Sequence, residues 1–234
     1  MSEHPPFPAD FLNAAGINRQ HVFDLAGLPQ EVLATLGETT GFRQLILLGH
    51  GGRRLWECVQ ASGIDGEHPV DDFCLQTIGR WFSEQIPGVR YRIVYPGETL
   101  VGLQALGKLA GWHHTSPFML GIDGEWGSWY AYRAVVLADS RFWPFFPADR
   151  SISPCETCSD QPCIAACPAE AMSDGQFSLT RCAGHRLQAN SSCAYGCLAR
   201  SACPVGSEHC YDDAQIRHSY AQSLAMLRKY AAGE

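Results

Sequence analysis

Nowhere in this 234-residue chain does an apolar run reach the ~18 residues that a membrane span needs. Basic residues are also in short supply. The 17 Lys and Arg are outnumbered by 24 Asp and Glu, for a formal net charge of −7. Nucleic-acid binders select for clustered Lys and Arg, so a nucleic-acid partner is not expected. Residues 1–10 are polar and proline-rich, without the basic and apolar segments of a secretory leader. A cytoplasmic, membrane-free protein is the expectation. Low-complexity segments are missing, and Gly51-Gly52 lacks the further glycines of a dinucleotide fingerprint. The length suits one medium domain plus a small one.

Cysteine, in contrast, is plentiful: eleven in all, eight of them between Cys155 and Cys203. The first run is Cys155-x2-Cys158-x4-Cys163-x3-Cys167-Pro168, and the second is Cys182, Cys193, Cys197 and Cys203-Pro204. Each iron of a cubane takes one thiolate, so eight sulfurs match two 4Fe-4S clusters. In two-cluster ferredoxin modules the cysteine before each proline serves the other cluster. Resemblance to that pattern implies that Cys155, Cys158, Cys163 and Cys203 hold one cluster, and Cys167, Cys182, Cys193 and Cys197 the second. Zinc also accepts four thiolates, but usually from two separated CxxC pairs, and it does not require Cys-Pro. Disulfides fit poorly with an odd count and a reducing compartment. Both alternatives stay open, because the ten residues between Cys182 and Cys193 stretch the simplest ferredoxin spacing. Cys58, Cys74 and Cys210 are left over and are expected to be buried free thiols.

Periodicity organises the remainder. Residues 43–49 (RQLILLG) and 91–95 (YRIVY) predict strands, as does the aromatic and β-branched stretch 129–138 (WYAYRAVVLA). Apolar residues at near-helical intervals predict a helix over 69–86, with Pro69 near its start and Pro87-Gly88 ending it. A second helix is expected over 99–109. Residues 139–153, rich in proline and aromatics, read as the connection into the cysteine runs. Ile216, Tyr220, Leu224, Leu227 and Tyr230 predict an amphipathic C-terminal helix. The architecture expected is α+β: a domain over 1–148, a small cluster module over 149–211 and a helix over 212–234.

Three upstream segments carry a family resemblance: residues 102–117 (GLQALGKLAGWHHTSP), 127–137 (GSWYAYRAVVL) and 68–95 (HPVDDFCLQTIGRWFSEQIPGVRYRIVY). A Gly-Trp turn followed by GSWY and then the cysteine runs resembles the cobalamin-binding, nitroreductase-like reductases, namely epoxyqueuosine reductase and the reductive dehalogenases. HPVDDFC and GSWYAYRAVVLAD are similar to the methylmalonic aciduria type C family of cobalamin-processing proteins. The resemblance implies a nitroreductase-like cobalamin-binding domain followed by a two-cluster ferredoxin-like module. It also implies cofactor contacts from Trp112, His113, His114, Thr115, Ser116, Gly127, Ser128, Trp129, Tyr130 and Arg133. Where epoxyqueuosine reductase carries its proton-donating aspartate, this chain has Tyr95 or its neighbours, so Tyr95 is the candidate catalytic residue. The DxHxxG signature is absent, so cobalamin is expected without a histidine ligand from that motif.

Each candidate has a purely structural alternative. His113 and His114 are placed to cap a helix C-terminus, Trp112 and Trp129 to fill a core, and Tyr95 to end a strand. His50 reads as a turn residue. Arg133, a charge inside an apolar strand, points more firmly to function. The expected activity is transfer of electrons through two clusters to cobalamin, with reductive removal of its upper ligand. Reduction of an organic substrate is an alternative, as is a ferredoxin-type carrier or a flavoprotein without cobalamin. A flavodoxin, ferredoxin or flavoprotein is the expected donor, and cobalamin or another small molecule the expected substrate.

Overall fold

A computed structural model describes residues 4–145 and 152–233. In chain order the elements are α1 (Asp10–Ala14), β1 (Arg19–Asp24), α2 (Gln30–Leu33), β2 (Gln44–Gly51), α3 (Arg54–Ser62), α4 (Pro69–Gln85), β3 (Tyr91–Tyr95) and α5 (Leu103–Leu109). There follow β4 (His114–Thr115), β5 (Gly121–Ile122), β6 (Tyr130–Ala138), α6 (Pro162–Ala165), α7 (Leu179–Arg186), α8 (Leu198–Ser201) and α9 (Asp213–Ala232). They form two compact units. The first is Met1–Trp112 with Tyr130–Arg150, and the second is His113–Trp129 with Ser151–Glu234. The expected division is contiguous, whereas these units interleave: residues 113–129 and the C-terminal helix both go with the cysteine runs.

The first unit is built on an antiparallel sheet of order β1-β2-β6-β3. All eight residues of β2 are buried, which explains why this strand reads as a continuous apolar run. Val22, Ile46, Leu48, Ala134, Val136 and Ala138 pack with Leu12 of α1, Leu55 and Val59 of α3, and Ile78, Trp81 and Phe82 of α4 in one core. Leu45, Leu47, Val135 and Leu137, which alternate with them, are also fully buried. Helix α4 begins as its sequence predicts, with Pro69 in its first turn and Asp71 and Asp72 near the positive end of its dipole.

Helix α5 starts at Leu103, four residues later than expected. Tight two-residue bonds, Val101 N–H to Thr99 C=O at 3.0 Å and Leu103 N–H to Val101 C=O at 2.8 Å, occupy the segment before it. Strand β1 shows no clear alternation in sequence, because Arg19 and His21 are buried along with Val22. In the connection over 139–153, residues 146–151 lie outside the described residues.

The second unit has a small core of Phe118, Ile122, Met172 and Ala199 with Cys163 and Cys203; Cys155, Cys167 and Cys197 pack against it. Asp212 caps α9 by accepting from the Gln215 N–H at 2.7 Å, and Gly233 ends the helix at a φ of 79°. The expected amphipathic face is half realised: Leu224 is buried, while Tyr230 is 84 % exposed.

Burial makes His21 a group that destabilises the fold in acid. His21 hydrogen-bonds the Phe145 backbone, and desolvation lowers its pKa to about 4. Near pH 7 both folded and unfolded states hold it neutral. Between the ordinary value of 6.5 and about 4 only the unfolded chain takes the proton, so stability falls as pH drops through that window. His21→Phe is expected to remove up to about 3 kcal/mol of this pH dependence. Denaturant unfolding at pH 7 and pH 4.5 measures it; the same pH dependence in both proteins would show that His21 is not the cause.

Candidate functional site

Among the described residues, which include all eleven cysteines, no disulfide is formed. The eight cysteines of the runs gather round two cavities in the second unit. Cys155, Cys158, Cys163 and Cys203 line one, with Pro154, Pro162, Pro204 and Ile122. Cys167, Cys182, Cys193 and Cys197 line the other, of about 430 Å³, with Arg186, Arg200, Tyr220 and several apolar side chains. Helix α6 carries Cys163, Cys197 caps α8, and the two short helices pack together. Each is followed by a Cys-Pro.

Electrostatics binds each set into a unit. Burial raises the Cys155 thiol, and Cys203, Cys163 and Cys158 raise it further. Cys182 is likewise raised by burial and then by Cys197, with Cys167 and Cys193 adding to it, while Arg186 opposes. Four thiolates together need a compensating cation. Among the described residues no three His, Cys, Asp or Glu side chains are placed to hold a single metal ion.

The first unit holds a different cluster, made by two β-bulges. Between β2 and β6 the register passes from Leu48↔Ala134 to Gly49↔Tyr132, leaving Arg133 as the extra residue. Between β3 and β6 it passes from Ile93↔Val136 to Tyr95↔Val135, leaving Val94 over. The first bulge sends Arg133 to His50 Nδ1, to which its Nε donates at 3.0 Å, and toward Asp71 at 3.8 Å. Burial raises the Tyr95 phenol; Arg133 lowers it, while Asp71 and Cys74 raise it. Burial also pushes the Cys74 thiol up to about 12. Arg133, His50 and Tyr95 of the sheet therefore form one cluster with Asp71 and Cys74 of α4.

Several expectations need correction. His50 is not a turn residue but a fully buried member of β2. Helix α5 ends at Leu109 with backbone bonds at Ala110, and His114 and Thr115 pair with β5. Of the three leftover cysteines only Cys74 is buried; Cys58 and Cys210 are partly exposed, because neither lies on a core-facing position of its segment.

Trp112 stacks on Tyr132, and Arg19 sits between the rings of Trp112 and Tyr130 at 4.6 and 4.8 Å. Ser116 Oγ donates to the Leu120 carbonyl at 2.6 Å. Ser128 and Trp129 are engaged by Arg200, whose guanidinium donates to the Ser128 carbonyl at 2.6 Å and lies 4.2 Å from the Trp129 ring centroid. Sequence reasoning passed over Arg19, Arg186 and Arg200. The one signal available was their position among apolar or cysteine neighbours.

Gly127 has a φ of 57°, and a Cβ there would meet the Val205 carbonyl oxygen at 1.9 Å. Gly127→Ala is expected to cost about 3 kcal/mol from strain and overpacking. A fall in the second unit's unfolding midpoint checks this; an unchanged midpoint would mean that the two backbones separate freely.

No protein-family model matches the chain, and no curated protein matches it. Solved structures do. They share its mixed helix-and-sheet fold. An epoxyqueuosine reductase solved with an epoxyqueuosine-modified tRNA-Tyr stem loop is similar at a TM-score of 0.54 and 13 % identity, over 89 % of this chain and 67 % of that one. A catabolic reductive dehalogenase matches at 0.48 and 14 %, over 93 % of this chain and 33 % of its own. The C. elegans B12-trafficking protein CblC matches at 0.46 and 13 %, over 91 % and 89 %.

Proposed function

We propose that this chain is an iron–sulfur oxidoreductase that passes electrons through two 4Fe-4S clusters to a bound cobalamin, reductively removing its upper ligand. The observation that carries the reading is the gathering of eight thiols into two sets of four. Eight thiols in two sets, each run closed by a Cys-Pro, match two cubanes at one thiolate per iron, whereas zinc usually takes its thiolates from separated CxxC pairs and does not require the proline. When bound, the clusters supply one-electron transfer, and a cobalamin supplies the metal centre from which a ligand leaves.

The chain's own residues do the rest. Cys155, Cys158, Cys163 and Cys203 hold one cluster, and Cys167, Cys182, Cys193 and Cys197 the other. Arg133, set by its bulge and held by His50, offers a fixed charge at the cofactor. Tyr95, protonated at neutral pH like any phenol and with its pKa raised further by burial, stands as the donor. Trp112, His113, His114, Thr115, Ser116, Gly127, Ser128, Trp129 and Tyr130 are the further candidates for contact, Ser128 and Trp129 being also engaged by Arg200. The electron donor is a flavodoxin, ferredoxin or reduced flavoprotein. The acidic balance disfavours nucleic acid as substrate.

Anaerobic reconstitution is expected to give about eight irons per chain, with Cys203→Ala losing the first cluster and Cys167→Ala the second. Equal loss of both from each folded variant would break the assignment. Hydroxocobalamin added to the loaded protein is expected to bind one-to-one, with a changed visible spectrum. An unperturbed spectrum beside eight irons would leave an electron carrier, and a flavin spectrum would leave a flavoprotein.

A further inference from the structure

Among the described residues, two buried arginines lie beside one set of cysteines and none beside the other. Arg186 is 8 % exposed and Arg200 is 7 % exposed. Arg186 donates from Nε to the Cys193 carbonyl at 3.1 Å, and from its terminal nitrogens to Ser223 Oγ at 2.9 Å and the Tyr220 carbonyl at 3.1 Å. Arg200 donates to Ser128 and lies over the rings of Trp129 and Tyr211, and its backbone N–H meets Cys197 Sγ at 3.5 Å. Among the described residues no carboxylate pairs with either guanidinium. A buried charge without a counter-ion is costly, and arginine does not discharge by losing its proton. Both arginines line the cavity of Cys167, Cys182, Cys193 and Cys197, so the missing anion is supplied by four thiolates and whatever they hold.

We propose that Arg186 and Arg200 make this second site the electron acceptor of the pair. The inference rests on the two-cluster reading above. Adding an electron makes a cluster more negative, so fixed cations beside it favour the reduced state and raise its potential. The first site has the opposite surroundings. Among the described residues no Lys or Arg lines its cavity, and Glu156 and Asp160 are the charges between its first three cysteines. Other levers do not separate the two sites. Backbone N–H groups reach Cys163 and Cys203 in one and Cys197 in the other, and each set contains buried cysteines. One electron from a low-potential one-electron donor enters at the first site. It then leaves that site oxidised by one and the second reduced by one, and no proton moves.

EPR-monitored redox titration tests this. Cys203→Ala keeps the second cluster and Cys167→Ala the first, so each midpoint is read alone. The second is expected to lie higher by at least tenfold in the one-electron constant, about 59 mV. Arg186→Gln and Arg200→Gln should each lower the second midpoint and leave the first in place, while Arg186→Lys and Arg200→Lys should keep it. Equal or reversed midpoints, or Gln variants that shift both sites alike, would overturn the proposal. If a Gln variant fails to assemble, the order of the two midpoints still decides. A wild-type chain that takes up no iron on reconstitution overturns the cluster reading itself, a result distinct from any ordering of midpoints.

Discussion

Charge compensation inside a small core is the constraint on which the second unit depends. Five of its eight run cysteines pack in or against the apolar core, where desolvation favours the neutral thiol. On the proposed reading, metal turns this penalty into cohesion, because thiolates bound to iron link segments that otherwise share few apolar contacts. The short helices α6 and α8 are too brief to be stable alone. Their positions follow from the cysteines they carry and from the Cys-Pro that follows each. Arg186 and Arg200 belong to the same balance, for they tie α7, α8 and α9 to neutral acceptors while keeping their charge for the cysteines.

The first unit solves a different problem. Its sheet is buried on both faces, so a polar group there must be placed deliberately. Two bulges do this. A regular β6 would alternate Arg133 with the apolar residues on either side of it; the extra residue turns it toward His50 and Asp71. The second bulge, at Val94, shifts Tyr95 by one position relative to β6. Both irregularities end beside the first turn of α4, where Asp71 and Cys74 lie. The chemistry-bearing side chains of this unit thus depend on where the ladder breaks.

This division explains what could be read in the sequence. Strands β2, β3 and β6 and helices α4 and α9 were legible because apolar burial writes a period into the residues. The two sets of cysteines round the cavities are those that the Cys-Pro rule forms, since ligand chemistry leaves its mark in residue type. Strand β1 was hidden by Arg19 and His21, whose burial depends on aromatic neighbours distant in sequence. Bulges leave no compositional mark, so Arg133 could be singled out while its partner His50 was mistaken for a turn residue. The interleaving of the units was hidden for a similar reason. It rests on Gly127 against Val205 and on Arg200 reaching Ser128, contacts between segments more than 70 residues apart.

Tyr95 shows how the cluster in the first unit balances opposing effects. Burial holds its proton, and a phenol that stays protonated can donate only when the acceptor is strongly basic or when the phenolate is stabilised as it forms. Arg133 supplies that stabilisation, since it is the one cause that lowers the Tyr95 pKa against burial, Asp71 and Cys74. Cys74 stays a neutral thiol, with a pKa of about 12, so it adds no charge at neutral pH. Asp71 draws Arg133 in one direction and His50 accepts from it in another, fixing the guanidinium without removing its charge. On the proposed reading, in which Tyr95 is the proton donor, this arrangement would keep the proton on the phenol at rest and ease its release through the nearby guanidinium.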